Sequence, residues 1–125
     1  IGTVMKPVLV LILTKQGTLQ NGLVALLTTI PQISTVLVTE DADSGLRMLN
    51  DHCPRLILLD MDLPEDGAHG LLRHINCQSL HIGSIALVDN AQQKQETETL
   101  GATVVLFKGF QAAKMISTIE QILAE

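Results

Sequence analysis

The chain has no tryptophan and no tyrosine, and its only aromatic residues are Phe107 and Phe110. Proteins that hold single-stranded nucleic acid stack its bases on aromatic side chains, so that mode is excluded. A flavin ring would want the same kind of platform. Positive charge is also scarce: 8 basic residues stand against 13 acidic ones, a formal net charge of −5. A surface that binds nucleic acid directly needs the opposite balance. There are two cysteines, Cys53 and Cys77, far apart and without a Cys-x-x-Cys motif. That usage fits a reducing cytoplasm better than a disulfide framework. His52, His69, His74 and His81 show no metal-binding spacing and read as surface or loop residues. His74 as a phosphoacceptor would need a helical-bundle setting that the pattern lacks. No Gly-x-Gly-x-x-Gly and no phosphate-binding Walker loop is present. Val8 to Leu13 is too short an apolar run to span a membrane or serve in a cleaved signal. Met5, Met48, Met61 and Met115 form no stripe and read as packing residues.

What is present centres on Arg55 to Gly67. Leu56-Ile57-Leu58-Leu59 runs directly into Asp60, and Leu63-Pro64 and Asp66-Gly67 follow. A short apolar run bounded by Pro54 and by Pro and Gly reads as a strand buried on both faces. In open α/β sheets, ligands bind at the carboxyl ends of the strands. Asp60 at that position is a candidate nucleophile or metal ligand; the alternative is that it only caps the loop.

The length suits one domain, 1–125. Residues 1–6 are expected to be a disordered or foreign N-terminus, and Met5 is a candidate native start. Pro7 to Leu13 reads as a strand, Thr14 to Gly17 as a turn, and Thr18 to Thr29 as a helix stopped before Pro31. Ser34 to Thr39 is a second strand. Asp43-Ser44 offers an N-cap for a helix ending near His52. Leu71, Leu72 and Ile75 mark a third helix, and Gly83 to Val88 a fourth strand. Ala91 to Leu100 is Gln/Glu-rich and has little to bury, so its helix should be weakly amphipathic and mobile. Thr103 to Phe107 is a fifth strand, and Ile116, Ile119, Ile122 and Leu123 mark the last helix. Strands alternating with helices imply right-handed βαβ crossovers and a parallel sheet covered on both faces. The expected architecture is a flavodoxin-like (βα)5 sandwich with strand order 2-1-3-4-5. That order places Thr14 and Lys15 near Asp60 at the switch point.

Nearly the whole chain, in order, resembles a response-regulator receiver domain. The resemblance is carried by Pro54 to Pro64 and by Leu100-Gly101-Ala102 through Phe107-Lys108-Gly109-Phe110. It implies that Asp60 is the phosphoacceptor and that Lys108 contacts the phosphoryl group. It also implies a sensor histidine kinase or other signalling protein as partner. An output domain or a homodimer would use the face formed by 91–125.

Several positions depart from that family. Where it carries an acidic pair that holds Mg²⁺, this chain has Thr14 and Lys15. Mg²⁺ wants hard oxygen ligands in near-octahedral geometry. At ~4 Å, two unit positive charges repel by about 4 kcal/mol at an effective dielectric of 20, and a divalent ion by more. Asp60 and Asp62 remain as weak metal candidates, and Mg²⁺ binding is not expected. Val88 stands where the family has a hydroxyl donor, Val105 where it has a switching aromatic, and Gly109 where it has a proline. The resulting expectation is a degenerate, pseudo-receiver-like module in two-component signalling, without enzymatic activity and acting by protein contact. Lys15 and Lys108 would supply Asp60 with the positive charge that a metal supplies elsewhere. A working receiver that phosphorylates Asp60 is the alternative. A third reading comes from Asp60-Met61-Asp62, which also resembles the Asp-x-Asp pair of haloacid-dehalogenase-like phosphatases. Leu63-Pro64 in place of Gly-Thr, and the motif's place on the third strand, weigh against it.

Overall fold

Six consecutive apolar residues, Val8–Leu13, form β1, and every one except the half-buried Leu9 is fully enclosed. The structure is a computed structural model that describes residues 8–63, 67–78 and 81–124. Pro7, the proposed N-terminal extension and residues 64–66 lie outside the described residues. The elements that follow are α1 (Thr18–Leu27), β2 (Ile33–Thr39), α2 (Ala42–His52), β3 (Leu56–Asp60), α3 (Gly67–Cys77), β4 (Gly83–Val88), α4 (Ala91–Thr99), β5 (Val104–Phe107) and α5 (Ala112–Leu123).

All strands pair in parallel in the order β2-β1-β3-β4-β5. The burial pattern explains the sequence pattern. β3 is buried at every residue, so it reads as an uninterrupted apolar run. The edge strands β2 and β5 are only partly covered. Side chains alternate across the sheet. Val10, Ile12, Leu56, Leu58, Ile85 and Leu87 pack toward Leu23, Leu27, Met115 and Ile119 of α1 and α5. Leu11, Leu13, Ile57, Leu59, Ala86 and Val88 pack toward Leu49, Leu71, Leu72 and Ile75 of α2 and α3.

Two local details differ from expectation. The N-cap of α2 is Asp41 and not Asp43: its carboxylate accepts from Ser44 N at 2.7 Å and from Ser44 Oγ at 3.0 Å. Asp43 instead sits in the first turn, where its charge suits the helix dipole. The backbone hydrogen bond from Ser44, then that from its hydroxyl, holds the Asp41 carboxyl below its ordinary range. The helix α1 stops at Leu27, short of Thr29, and Thr28 and Thr29 donate their hydroxyls back to Ala25 O and Leu26 O. Among the described residues, no helix is long and apolar enough to cross a membrane.

Two glycines make a paired prediction. A Cβ on Gly83, at the start of β4, would collide with the Ile122 side chain on α5. Gly83→Ala should therefore lower stability by about 1–2 kcal/mol through overpacking. Gly22 lies exposed within α1, and an added Cβ there meets nothing. Gly22→Ala should raise stability by about 0.5–1 kcal/mol through helix propensity. Denaturant midpoints of the two variants, moving in opposite directions, check both.

Candidate functional site

The carboxyl ends of the strands collect the chemistry. Asp60 is the last residue of β3 and is buried, 7% exposed. Leu13 pairs with Leu59, so Thr14 follows in line beside Asp60. On the other side, Val88 pairs with Phe107, so Asp89 and Lys108 emerge together. The backbone holds these exits in place: Thr14 N donates to Thr39 O at 3.1 Å, Met61 N to Leu87 O at 3.0 Å, and Lys108 N to Val88 O at 3.0 Å.

Lys108 Nζ donates to Asp60 Oδ1 at 2.8 Å. Its ammonium also lies 3.3 Å from each oxygen of Asp89. Asp62 N donates to the same Asp60 oxygen at 2.9 Å, so the loop wraps its own backbone around the carboxylate. Partial burial alone would push the Lys108 pKa down. The hydrogen bond and charge of Asp60, followed by those of Asp89, outweigh it and hold Lys108 above its ordinary value.

Asp60 and Lys108 are thus brought together directly. Thr14 is beside them, fully buried, and its hydroxyl has no hydrogen-bond partner among the described residues. Lys15 is exposed and makes no ion pair among the described residues, so the expected joint approach of both lysines to Asp60 reduces to Lys108 alone. The snorkelling stem of an exposed lysine keeps its charge in water. Asp62 is exposed, and its backbone contacts Asp60. Val88 is fully buried among the apolar residues under α3, and Val105 packs half-buried against the same cluster. Gly109 is exposed, with open space around its Cα. A polar cleft of about 350 Å³ adjoins the site, lined by Gln16, Gln20, Val38, Thr39, Glu40 and Asp41. Gln16 N donates to Glu40 Oε1 across it at 2.9 Å.

Asp89 and Gln93 escaped the reading of the sequence. Gln93 Oε1 accepts from Asp89 N at 2.7 Å, and its Nε2 donates to Met61 O at 3.3 Å. The usable signal was positional: Asp89 follows a buried strand, at the same sheet end as Asp60.

This geometry, an acidic strand end gripped by a lysine from the next strand but one, has a family. The family model for the response regulator receiver domain matches residues 10–120. The chain belongs to the response regulator receiver domain family. It is a receiver domain of two-component signalling. Solved structures share its fold across nearly its whole length. A protein described as a response regulator of Chloroflexus aurantiacus J-10-fl is 20% identical, with 96% of this chain and 100% of that chain covered and a TM-score of 0.87. A LuxR-family two-component response regulator of Aurantimonas sp. SI85-9A1 is also 20% identical, covering 95% and 86%, with a TM-score of 0.83. A LuxR-family DNA-binding response regulator of Staphylococcus aureus is 15% identical, covering 92% and 98%, with a TM-score of 0.82. No curated protein sequence matches the chain.

Among the described residues, the donors beside Asp60 fit a divalent metal poorly. Among the described residues, no group of three His, Cys, Asp or Glu side chains converges. Beside Asp60, β1 offers a hydroxyl in place of a carboxylate, and the Lys108 ammonium already lies between Asp60 and Asp89. A hard cation with near-octahedral demands would find one buried carboxylate and a competing positive charge.

Proposed function

We propose that this receiver domain signals through protein contact, with Mg²⁺-dependent phosphorylation of Asp60 impaired. The observation that supports this most is the fully buried Thr14 hydroxyl beside Asp60, unpartnered among the described residues, at a position where the family's metal site takes a carboxylate. One further substitution points the same way: Val105 carries no ring to rotate into a new position. Asp60 remains the group a phosphodonor would modify, and Lys108 the group that would meet its phosphoryl oxygens.

The reading extends to partners. A sensor histidine kinase or another signalling protein would dock near the Asp60 end of the sheet. The face made by 91–125 is the proposed contact surface for an output domain or a second copy. Phe107 supports this: it is 45% exposed, and Lys94 Nζ lies 5.8 Å from its ring centroid. Among structural neighbours, one is described as a DNA-binding response regulator and another as a response regulator/GGDEF domain protein. An output domain of some such kind is compatible with this face.

Incubation with acetyl phosphate, with and without Mg²⁺, tests the proposal by intact mass. The expected result is no added phosphoryl mass at any Mg²⁺ concentration. A Mg²⁺-dependent adduct that disappears in Asp60→Asn would overturn it and establish a working phosphoacceptor.

A further inference from the structure

The two edges of the sheet are not alike. β5 is four residues long, is followed by Lys108 and lies against α4, a polar helix of which only Thr97 is buried. Shortness and a flanking lysine are ordinary ways of blunting an exposed edge. β2 has neither. Its seven residues, Ile33–Thr39, include no charge, no proline and no glycine, and most are β-branched. One bond fixes which way its backbone faces. Thr39 O accepts from Thr14 N at 3.1 Å, so Thr39 turns its peptide groups toward β1. Alternation turns those of Thr35 and Leu37 the same way, in agreement with their register opposite Leu9 and Leu11. Val36 and Val38 therefore point their N–H and C=O groups away from β1, and among the described residues β2 pairs with β1 only. At the start of the strand the register shifts and Ser34 Oγ donates to Val8 O at 3.0 Å. The regular edge thus runs from Thr35 to Thr39.

That edge is also self-complementary. Thr35-Val36-Leu37-Val38-Thr39 reads the same in both directions. An antiparallel copy, related by a two-fold axis at Leu37, sets Val36 opposite Val38, Thr35 opposite Thr39 and Leu37 opposite itself. The outward N–H and C=O groups of Val36 then meet those of Val38 as hydrogen-bonded pairs, and Leu37 falls at a non-hydrogen-bonded pair. Threonine opposite threonine and branched side chains side by side suit cross-strand pairing. Charge selects the same orientation. Glu40 and Asp41 come opposite Ser34 and Ile33 of the second copy, whereas a parallel copy in register would set Glu40 against Glu40. We propose that the β2 edge is a self-association surface, through which two copies of this domain join antiparallel over 35–39 and merge their five-stranded sheets into one. A two-fold contact of this kind closes on itself, because each copy uses up the edge it offers. It lies at the opposite edge of the sheet from β5 and involves neither the 91–125 face nor Asp60, so its failure would leave the acetyl phosphate result standing, and the reverse.

Sedimentation velocity of the whole chain over a wide range of concentration tests this, with introduced cysteines to read the register. The parent should show a concentration-dependent equilibrium between monomer and dimer. Val38→Pro removes an outward donor and no bond to β1, a change that an edge strand tolerates. Two donors are lost per pair, so the dimer should weaken about tenfold or more, with an unchanged circular dichroism spectrum. If that variant unfolds, Thr35→Glu makes the same test at an exposed side chain, by setting like charge beside Glu40 of the second copy. In a background of Cys53→Ser and Cys77→Ser, Leu37→Cys should form a disulfide-linked dimer under mild oxidation, because the two-fold axis sets that residue opposite itself at a separation a disulfide spans. Val36→Cys should not cross-link, since it faces position 38. The proposal is overturned if the parent is monomeric at every concentration. It is equally overturned if the folded Val38→Pro or Thr35→Glu variant dimerises as the parent does, which would place the contact on another face, or if Val36→Cys cross-links as readily as Leu37→Cys.

Discussion

Lys108→Met should destabilise the domain by about 3 kcal/mol, in the range measured when one partner of a buried ion pair is removed. Asp60 is the reason. Its side chain is 9% exposed, and Lys108 supplies its closest contact at 2.8 Å. Without that ammonium, the carboxylate keeps one hydrogen bond among the described residues, from Asp62 N. A charge left in that setting pays the desolvation cost with no compensating partner. A melting temperature lower by about 10 °C is the expected reading for a domain of this size. Asp60→Asn in the same chain should recover about half of the loss, since neutralising the orphaned group removes the penalty. A loss below about 1 kcal/mol would mean that the pair behaves as an ordinary surface ion pair. The pH dependence has a defined sign. The folded-state pKa of Lys108 is raised above the ordinary 10.5, so its stabilising contribution is fully present below that value. It fades as pH rises through the raised value. The difference between parent and Lys108→Met should therefore be flat at neutral pH and close only in strong alkali.

Thr14→Asp combined with Lys15→Asp should make the stability of the chain depend on Mg²⁺. The Thr14 side chain is fully buried beside Asp60. A carboxylate there faces like charge at close range, so the variant should be less stable than the parent in chelator, by about 2 kcal/mol. Mg²⁺ would bind the folded state alone and reverse this, by about 2.7 kcal/mol at a hundredfold excess over Kd. Melting temperature titrated against MgCl2 should rise in the variant and stay flat in the parent. Lys15→Asp by itself should respond less, because that residue is exposed. A double variant indifferent to Mg²⁺ would show that the Lys108 ammonium, shared by Asp60 and Asp89, is sufficient to keep the metal out.

The sheet was legible because its central strands are buried on both faces. Leu56 to Leu59 can form no half-exposed strand without stranding two of its four apolar side chains, and Gly83 to Val88 reads the same way. Asp60 was legible because a carboxylate ending such a run must sit at the ligand-binding end of a parallel sheet. Lys108 was legible through the family text around it. The partners of Lys108 were harder. Its ion pair with Asp89 depends on the register between β4 and β5, which no periodicity encodes. The clasp made by Gln93 depends on one glutamine among several in a polar helix, where composition cannot single out the residue that folds back. Lys15 was assigned toward Asp60 from its place in the chain, but a long side chain at a strand exit follows its solvation, and it stays in water. The cap of α2 slipped by two residues because Asp41 and Asp43 both satisfy the residue preference, and only the backbone angles decide between them.

The thin apolar footing of α4 has a consequence for how this domain can change. Substitutions at exposed positions such as Gln92, Gln95, Glu96 and Thr99 should each alter stability by no more than about 0.5 kcal/mol. A helix whose outer surface is free of packing duty can be rewritten residue by residue while the fold is left untouched. Partner choice written on that surface could diverge between copies of the gene without passing through unfolded intermediates. Residues that anchor the helix, Gln93 and Thr97, would be the fixed points around which such divergence turns.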